Sequence, residues 1–152
     1  MRRKEVAALD SHLGYWLRFV SNHVSQAFAQ KVAAEGASVA EWVLMRVLFD
    51  AEAMAPSRLA DEIGMTRGGI TKIANRLVAK GLLVREASPE DGRAQTLALS
   101  PAGRRLVPRL AALADKNEEQ FFADLPQRER AQLERILRTI VERRKLKAVP
   151  VE

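Results

Sequence analysis

Thr66, Arg67, Thr71, Lys72, Asn75 and Arg76 stand close together in the chain, with Gly68 and Gly69 among them. These residue types can read the edges of base pairs. Arg and Lys donate to guanine O6 and N7, Asn pairs with adenine N6 and N7, and Thr meets a thymine methyl or a phosphate. Ile70, Ile73, Ala74, Leu77 and Val78 recur at steps of three and four and mark one apolar helical face. On such a helix Gly68, Lys72, Asn75 and Arg76 point the other way, flanked by Arg67 and Thr71. Gly68 and Gly69 carry no side chain, so the first turn can approach a partner closely, although they also weaken the helix. A polar outer face is equally the default of any surface helix.

Two further groups carry chemistry. Arg93 ends the turn cluster Ser88-Pro89-Glu90-Asp91-Gly92. An Arg at a projecting tip can enter a narrow minor groove, where the negative potential is enhanced. Asp91 is repelled by phosphate, so its role is to brace an Arg or to cap turn amides. The alternative is a solvated turn with an incidental charge pair.

The second group is aromatic. His12, Tyr15, Trp16 and Phe19 fall at i, i+3, i+4 and i+7, and Trp42, Met45, Arg46 and Phe49 repeat that spacing. The two stripes can wall an apolar pocket in which His12 and Arg46 orient a small aromatic or anionic ligand. An inward Arg46 needs an anionic partner. Glu41 or Asp50 would serve as well as a ligand, and both stripes can instead be simple core.

The elements that must position these residues are legible in turn. Residues 5–34 read as one long helix, with Leu9, Leu13, Trp16, Leu17, Val20, Val24, Phe28 and Val32 on its apolar stripe, ended by Gly36. Ser38 and Glu41 form a capping box for a second helix to about Asp50. Pro56 starts a short helix through Ile63, and Gly64-Met65 breaks it. Thr66 caps the next helix, which runs to about Lys80 and closes at Gly81. Strands follow at 82–86 and 94–99, on either side of the turn cluster. Ser100 and Pro101 start a helix to about Ala123 that Pro108 should kink. A last helix runs from Pro126 to about Lys147.

Helix, Gly-containing turn, helix and then a β-hairpin is the order of a winged helix. The fold expected is mainly α with a small β-hairpin wing. Residues 38–100 form a winged helix-turn-helix lobe within the single chain 1–152, and 5–34 and 101–147 are the flanking helices. The flanking apolar stripes can be buried against a second copy of the chain as a two-fold dimer, or within one chain as a helical subdomain.

Composition agrees with a nucleic-acid partner. The chain has 152 residues, a formal net charge of +6 and a pI near 10.2, and a basic domain suits a polyanion. There is no cysteine, which excludes disulfides, thiolate metal sites and thiol redox sensing. The same absence fits a cytoplasmic protein. No apolar run approaches a membrane span, and no secretory signal is expected from the basic start. There is no Gly-x-Ser-x-Gly elbow, Walker loop or His-Glu-x-x-His, so no enzyme is expected. His12 and His23 stand too far apart on one helix for joint metal ligation, and no cofactor is expected.

The stretch Ser57–Met65 with Thr66, the run Lys80-Gly81-Leu82-Leu83, Asp91-Gly92-Arg93 and Leu99-Ser100-Pro101-Ala102-Gly103 together resemble the MarR (multiple antibiotic resistance regulator) family. The order of elements is similar over nearly the whole chain. The resemblance implies a homodimeric bacterial transcription regulator with interlocked terminal helices and recognition helices in successive major grooves. It implies wings on the minor groove, with Arg93 as the groove residue and Asp91 as its brace. It further implies release from DNA by a small, often anionic or phenolic, ligand. A repressor on a pseudo-palindromic operator is the expected function. Its competitors are a winged helix that binds protein and a sequence-tolerant protein that coats DNA.

Overall fold

The computed structural model describes residues 5–88, Gly92 and residues 95–147. Six α-helices and one two-stranded sheet follow a 3-10 turn at Leu9–Ser11 among these residues. The helices are α1 Leu13–Ala33, α2 Val39–Phe49, α3 Pro56–Ile63, α4 Arg67–Ala79, α5 Pro101–Phe122 and α6 Gln127–Arg144, and the strands are β1 Leu83–Ala87 and β2 Gln95–Leu99.

The local signals act as their chemistry requires. Ser38 Oγ accepts from the Glu41 amide at 3.1 Å and the Glu41 carboxylate accepts from the Ser38 amide at 3.0 Å, closing the capping box of α2. Thr66 Oγ1 accepts from the Gly69 amide at 3.0 Å and starts α4. Gly64 ends α3 at φ 76°, a left-handed backbone that any Cβ would strain.

Two expected boundaries are corrected. The first helix begins at Leu13 rather than residue 5, because His12 is extended with ψ 130°. Ser11 Oγ donates to the Ala8 carbonyl at 2.6 Å, and Trp16 Nε1 donates to the Asp10 carbonyl at 2.8 Å. Short polar side chains here bond the backbone in a turn and compete with helix. The last helix stops at Arg144 rather than Lys147. Lys145 turns left-handed at φ 52°, and the Leu146 amide returns to the Val141 carbonyl at 3.0 Å. Pro108 lies inside α5, which runs as one element from Pro101 to Phe122.

One apolar cluster joins α2, α3, α4 and the hairpin to α5. Leu44, Leu48, Leu59, Ile63, Ile70, Leu77, Leu83 and Leu110 are fully or almost fully buried in it. Each such side chain contributes about 1.5–3 kcal/mol on leaving water. β1 and β2 pair antiparallel from Leu83 opposite Leu99 to Ala87 opposite Gln95. Met54 adds a short third rung, exchanging backbone hydrogen bonds with Leu97 at 2.9 and 2.8 Å. That rung ties the hairpin base to the segment before α3.

The flanking helices are different. α1 buries only Val32, and α6 buries no residue. Leu13, Trp16, Leu17 and Val20 on α1 and Ile136, Leu137, Ile140 and Val141 on α6 are all exposed in the single chain.

Candidate nucleic-acid interface

α3, the Gly64-Met65 turn and α4 form the helix-turn-helix. Ile70, Ile73, Ala74 and Leu77 are buried and fix which side of α4 faces the core. Thr66, Arg67, Gly68, Thr71, Lys72, Asn75 and Arg76 are consequently exposed, and Gly69 is half-buried. Thr71 Oγ1 donates to the Arg67 carbonyl at 2.9 Å, so its hydroxyl proton is taken up within the helix.

The two glycines differ. A Cβ on Gly68 would meet nothing within 4 Å, whereas on Gly69 it would lie 3.1 Å from Met65 Cε and 3.2 Å from Thr66 Oγ1. The small size of Gly69 therefore serves the packed N-cap. Only Gly68 leaves open space on the outer face.

Asn75 is not isolated. Arg85 on β1 donates to its Oδ1 and ties the outer face of α4 to the wing strand. The sequence reading missed Arg85, because its position opposite α4 depends on how the hairpin folds back. Alternation along β1 could have flagged it as an outward cation beside the helix. Arg76, read as an outer-face donor, also lines a cavity between α1, α2 and α5. Asp91 and Arg93 lie outside the described residues.

The aromatic stripes are not assembled as expected. Trp42 packs edge-on against Phe28, with ring centroids 6.4 Å apart, and lines the cavity that Arg76 reaches. That cavity measures about 720 Å³ and has a mainly apolar wall, with Asn117 and Glu118 of α5 as polar members. His12, Tyr15, Trp16 and Phe19 do not line it. Tyr15, Trp16 and Phe19 lie exposed along α1 in edge-on and tilted ring contacts with one another, while Trp16 lines a separate apolar groove with α6.

The inward reading of Arg46 is corrected as well. Its side chain is 46% exposed and pairs with Asp50 at 2.8 Å, one helical turn away. Phe49 receives both Arg46 and Arg104 over its ring, at 5.8 and 5.9 Å. An exposed i,i+4 ion pair satisfies Arg46 without any ligand.

The buried charge lies elsewhere, at Glu41, which is 3% exposed. Burial pushes its carboxyl up, but hydrogen bonds from Lys80 and Ser38 and the Lys80 charge outweigh that effect. The group is therefore held below its ordinary value.

A helix-turn-helix with an exposed cationic and amide face, followed by a hairpin, defines a winged-helix DNA-binding protein. Residues 36–94 match the model of the MarR family. The chain is 28% identical to a putative transcriptional regulatory protein for the hcr operon of Thauera aromatica, over 88% of this chain and 81% of that one. A probable transcriptional regulator from Pseudomonas aeruginosa has the same fold with a TM-score of 0.77 and 28% identity, covering 88% of this chain and 99% of its own. CouR from Rhodococcus jostii, solved bound to p-coumaroyl-CoA, superposes with a TM-score of 0.76 at 24% identity, covering 89% of this chain and 95% of its own. Residues 36–94 thus carry the MarR-family signature, and over most of its length the chain is similar in sequence and fold to proteins named as transcriptional regulators. Among the described residues no helix is long and apolar enough to cross a membrane.

Proposed function

We propose that the protein is a homodimeric repressor that reads a pseudo-palindromic operator and is released by a small aromatic or anionic molecule. The observation that carries this reading is the outer face of α4, where Arg67, Lys72, Asn75 and Arg76 are exposed opposite a buried apolar face. In this reading Thr66, Arg67, Gly68, Gly69, Thr71, Lys72, Asn75 and Arg76 meet the major groove. Asp91 and Arg93 serve the minor groove. Residues 5–34 and 101–147 dimerise, and residues 38–100 bind DNA. Two recognition helices in one dimer then read half-sites about one helical turn apart, roughly 10 base pairs.

Selection of bound duplexes from a random pool, followed by footprinting, tests the reading. A two-fold motif is expected. A single asymmetric half-site removes the dimeric reading, and no preferred sequence leaves only a DNA-coating protein.

Arg93→Ala and Asn75→Ala separate affinity from specificity. Arg93→Ala should lower affinity for all duplexes and reduce the salt slope by about one, the signature of one lost phosphate contact. Asn75→Ala should relax base choice at one position by about 1–3 kcal/mol, with the salt slope unchanged. Competition binding at several salt concentrations measures both. An Arg93 variant that binds as wild type at moderate salt would overturn the wing reading.

The ligand is proposed to enter the cavity lined by Phe28, Trp42, Arg76 and Asn117, rather than the space between the two stripes. Its wall is mainly apolar with few polar groups, as small-molecule sites require. Arg76 supplies a cation for an anionic ligand and belongs to α4, so occupancy and DNA contact compete for one side chain. In the Trp16→Phe variant, whose sole indole is Trp42, salicylate should quench fluorescence with a dissociation constant up to roughly millimolar, about −4 kcal/mol. Operator should weaken that binding by the same factor by which salicylate weakens operator binding. Absence of quenching excludes this ligand class from the cavity, and quenching indifferent to operator removes the regulatory role.

A further inference from the structure

A strong directional hold on α4 lies at the end remote from its base-reading half. Lys80, the C-cap residue, sends its ammonium to three acceptors at the corner between α1 and α2. These are the Gly36 carbonyl at 2.9 Å and the two carboxylate oxygens of Glu41 at 3.0 and 2.8 Å. Oε1 of the same carboxylate also accepts the Ser38 amide at 3.0 Å. One buried carboxylate thus closes the N-terminus of α2 and the C-terminus of α4 together. Ala37, Ser38 and Val39 of this corner also line the cavity that Trp42 and Arg76 share.

The other contacts that seat α4 constrain it differently. Ile70, Ile73 and Leu77 bury apolar surface, which sets how deep the helix sits but is non-directional and tolerates sliding and rotation. The Thr66 cap and the Thr71 bond are internal to the helix. Ser100 holds the Gly81 carbonyl at 2.6 Å, beyond the cap. Arg85 grips Asn75 through side chains that are both exposed. Lys80 alone among the described residues joins α4 by hydrogen bonds to a buried, twice-held group. A helix of this length spans about 20 Å, so a small rotation at its cap moves the groove-facing side chains off register.

We infer that Glu41 and Lys80 are positioning residues for sequence recognition: their ion pair sets the rotation and axial register of α4, and hence base preference, without touching DNA. The inference rests on the reading of α4 as the recognition helix. A single substitution such as Lys80→Met leaves a buried charge without its partner and destabilises for that reason alone. The Glu41→Gln/Lys80→Met double variant avoids this, because glutamine keeps an acceptor for Ser38 and no charge is stranded. Lys80→Arg is a second probe that keeps the charge and changes its geometry.

The experiment compares the full-length protein and both variants on the duplex selected by wild type and on a scrambled duplex, below the melting temperature of each. For the double variant and for Lys80→Arg, affinity for the scrambled duplex and the salt slope should stay at wild-type values. The ratio of selected to scrambled affinity should fall by about tenfold, the scale of one mismatched base pair. Either variant, folded by circular dichroism and with the ratio reduced while scrambled binding holds, supports the inference. An unchanged ratio in folded variants overturns it and leaves the pair a purely structural contact. A wild-type protein that prefers no duplex fails earlier, at the regulator reading, and the inference falls with it.

Discussion

If the protein is the homodimer proposed above, Ile136→Arg should convert it from dimer to monomer while leaving its helices formed. The reason lies in α6, an 18-residue helix in which no residue is buried within the single chain. Ile136, Ile140 and Val141 are each 45–46% exposed along it. Most helical stability in proteins comes from packing an apolar face rather than from propensity. Opposite them, α1 exposes Leu13, Trp16, Leu17 and Val20, and the two helices share an apolar groove lined also by Phe122. A contiguous exposed apolar surface of this kind marks an association site. An Arg at position 136 places an unpaired charge on the exposed apolar face of α6, at a cost of several kcal/mol if association desolvates it. Sedimentation equilibrium should give half the wild-type mass. Operator affinity should drop by about 100-fold or more, because two linked half-site contacts become two independent ones. A variant that stays dimeric would show that the dimer is built on another surface.

Gly103→Ala should destabilise the fold sharply, and Gly68→Ala should stabilise it. Ser100 Oγ accepts the Gly103 amide at 3.1 Å, so Gly103 sits in the first turn of α5. A Cβ there would fall 2.3 Å from the Leu82 carbonyl oxygen and 3.1 Å from the Leu99 side chain. The Leu82 oxygen cannot give way freely, because it already accepts the Ser100 amide at 3.0 Å. Backbone must therefore move at the base of the wing, and overpacking of this kind costs about 1–3 kcal/mol. The melting temperature should fall by roughly 3–10 °C. At Gly68 nothing lies within 4 Å of the added carbon, and the alanine variant, whose unfolded chain has less freedom to lose, gains about 0.4–1 kcal/mol. If the first turn of α4 approaches DNA closely, the same Gly68→Ala variant binds operator more weakly while melting higher. Thermal melts and operator titrations of the two variants check both statements. An unaltered melting temperature for Gly103→Ala would mean that α5 can slide away from the hairpin.

Most of the element order was legible because it depends on neighbours in the chain. Ser38 with Glu41, Thr66 with Gly69 and Ser100 with Gly103 each act over three residues. The three-and-four spacing of Ile70, Ile73 and Leu77 decides which face of α4 is outward before any partner is known. The errors of boundary came where local competitors were close in energy, at Ser11 and at Lys145. For Arg46 the spacing suggests an inward position on an aromatic stripe, whereas the alternative partner Asp50, one turn away, is the one that holds it, in solvent.

The sequence alone determined that this chain forms a helix-turn-helix and a hairpin with cationic and amide side chains on an outward helical face, because caps, turns and amphipathic spacing are short-range properties. Only the tertiary structure decided which of those residues meet. It joined Lys80 to Glu41 across 39 positions and Arg85 of β1 to Asn75 of α4. It also placed Arg76 and Trp42 on one cavity, away from Tyr15 and Phe19. Those pairings depend on how separate elements dock, and docking is driven by non-directional apolar burial whose partners no local spacing records.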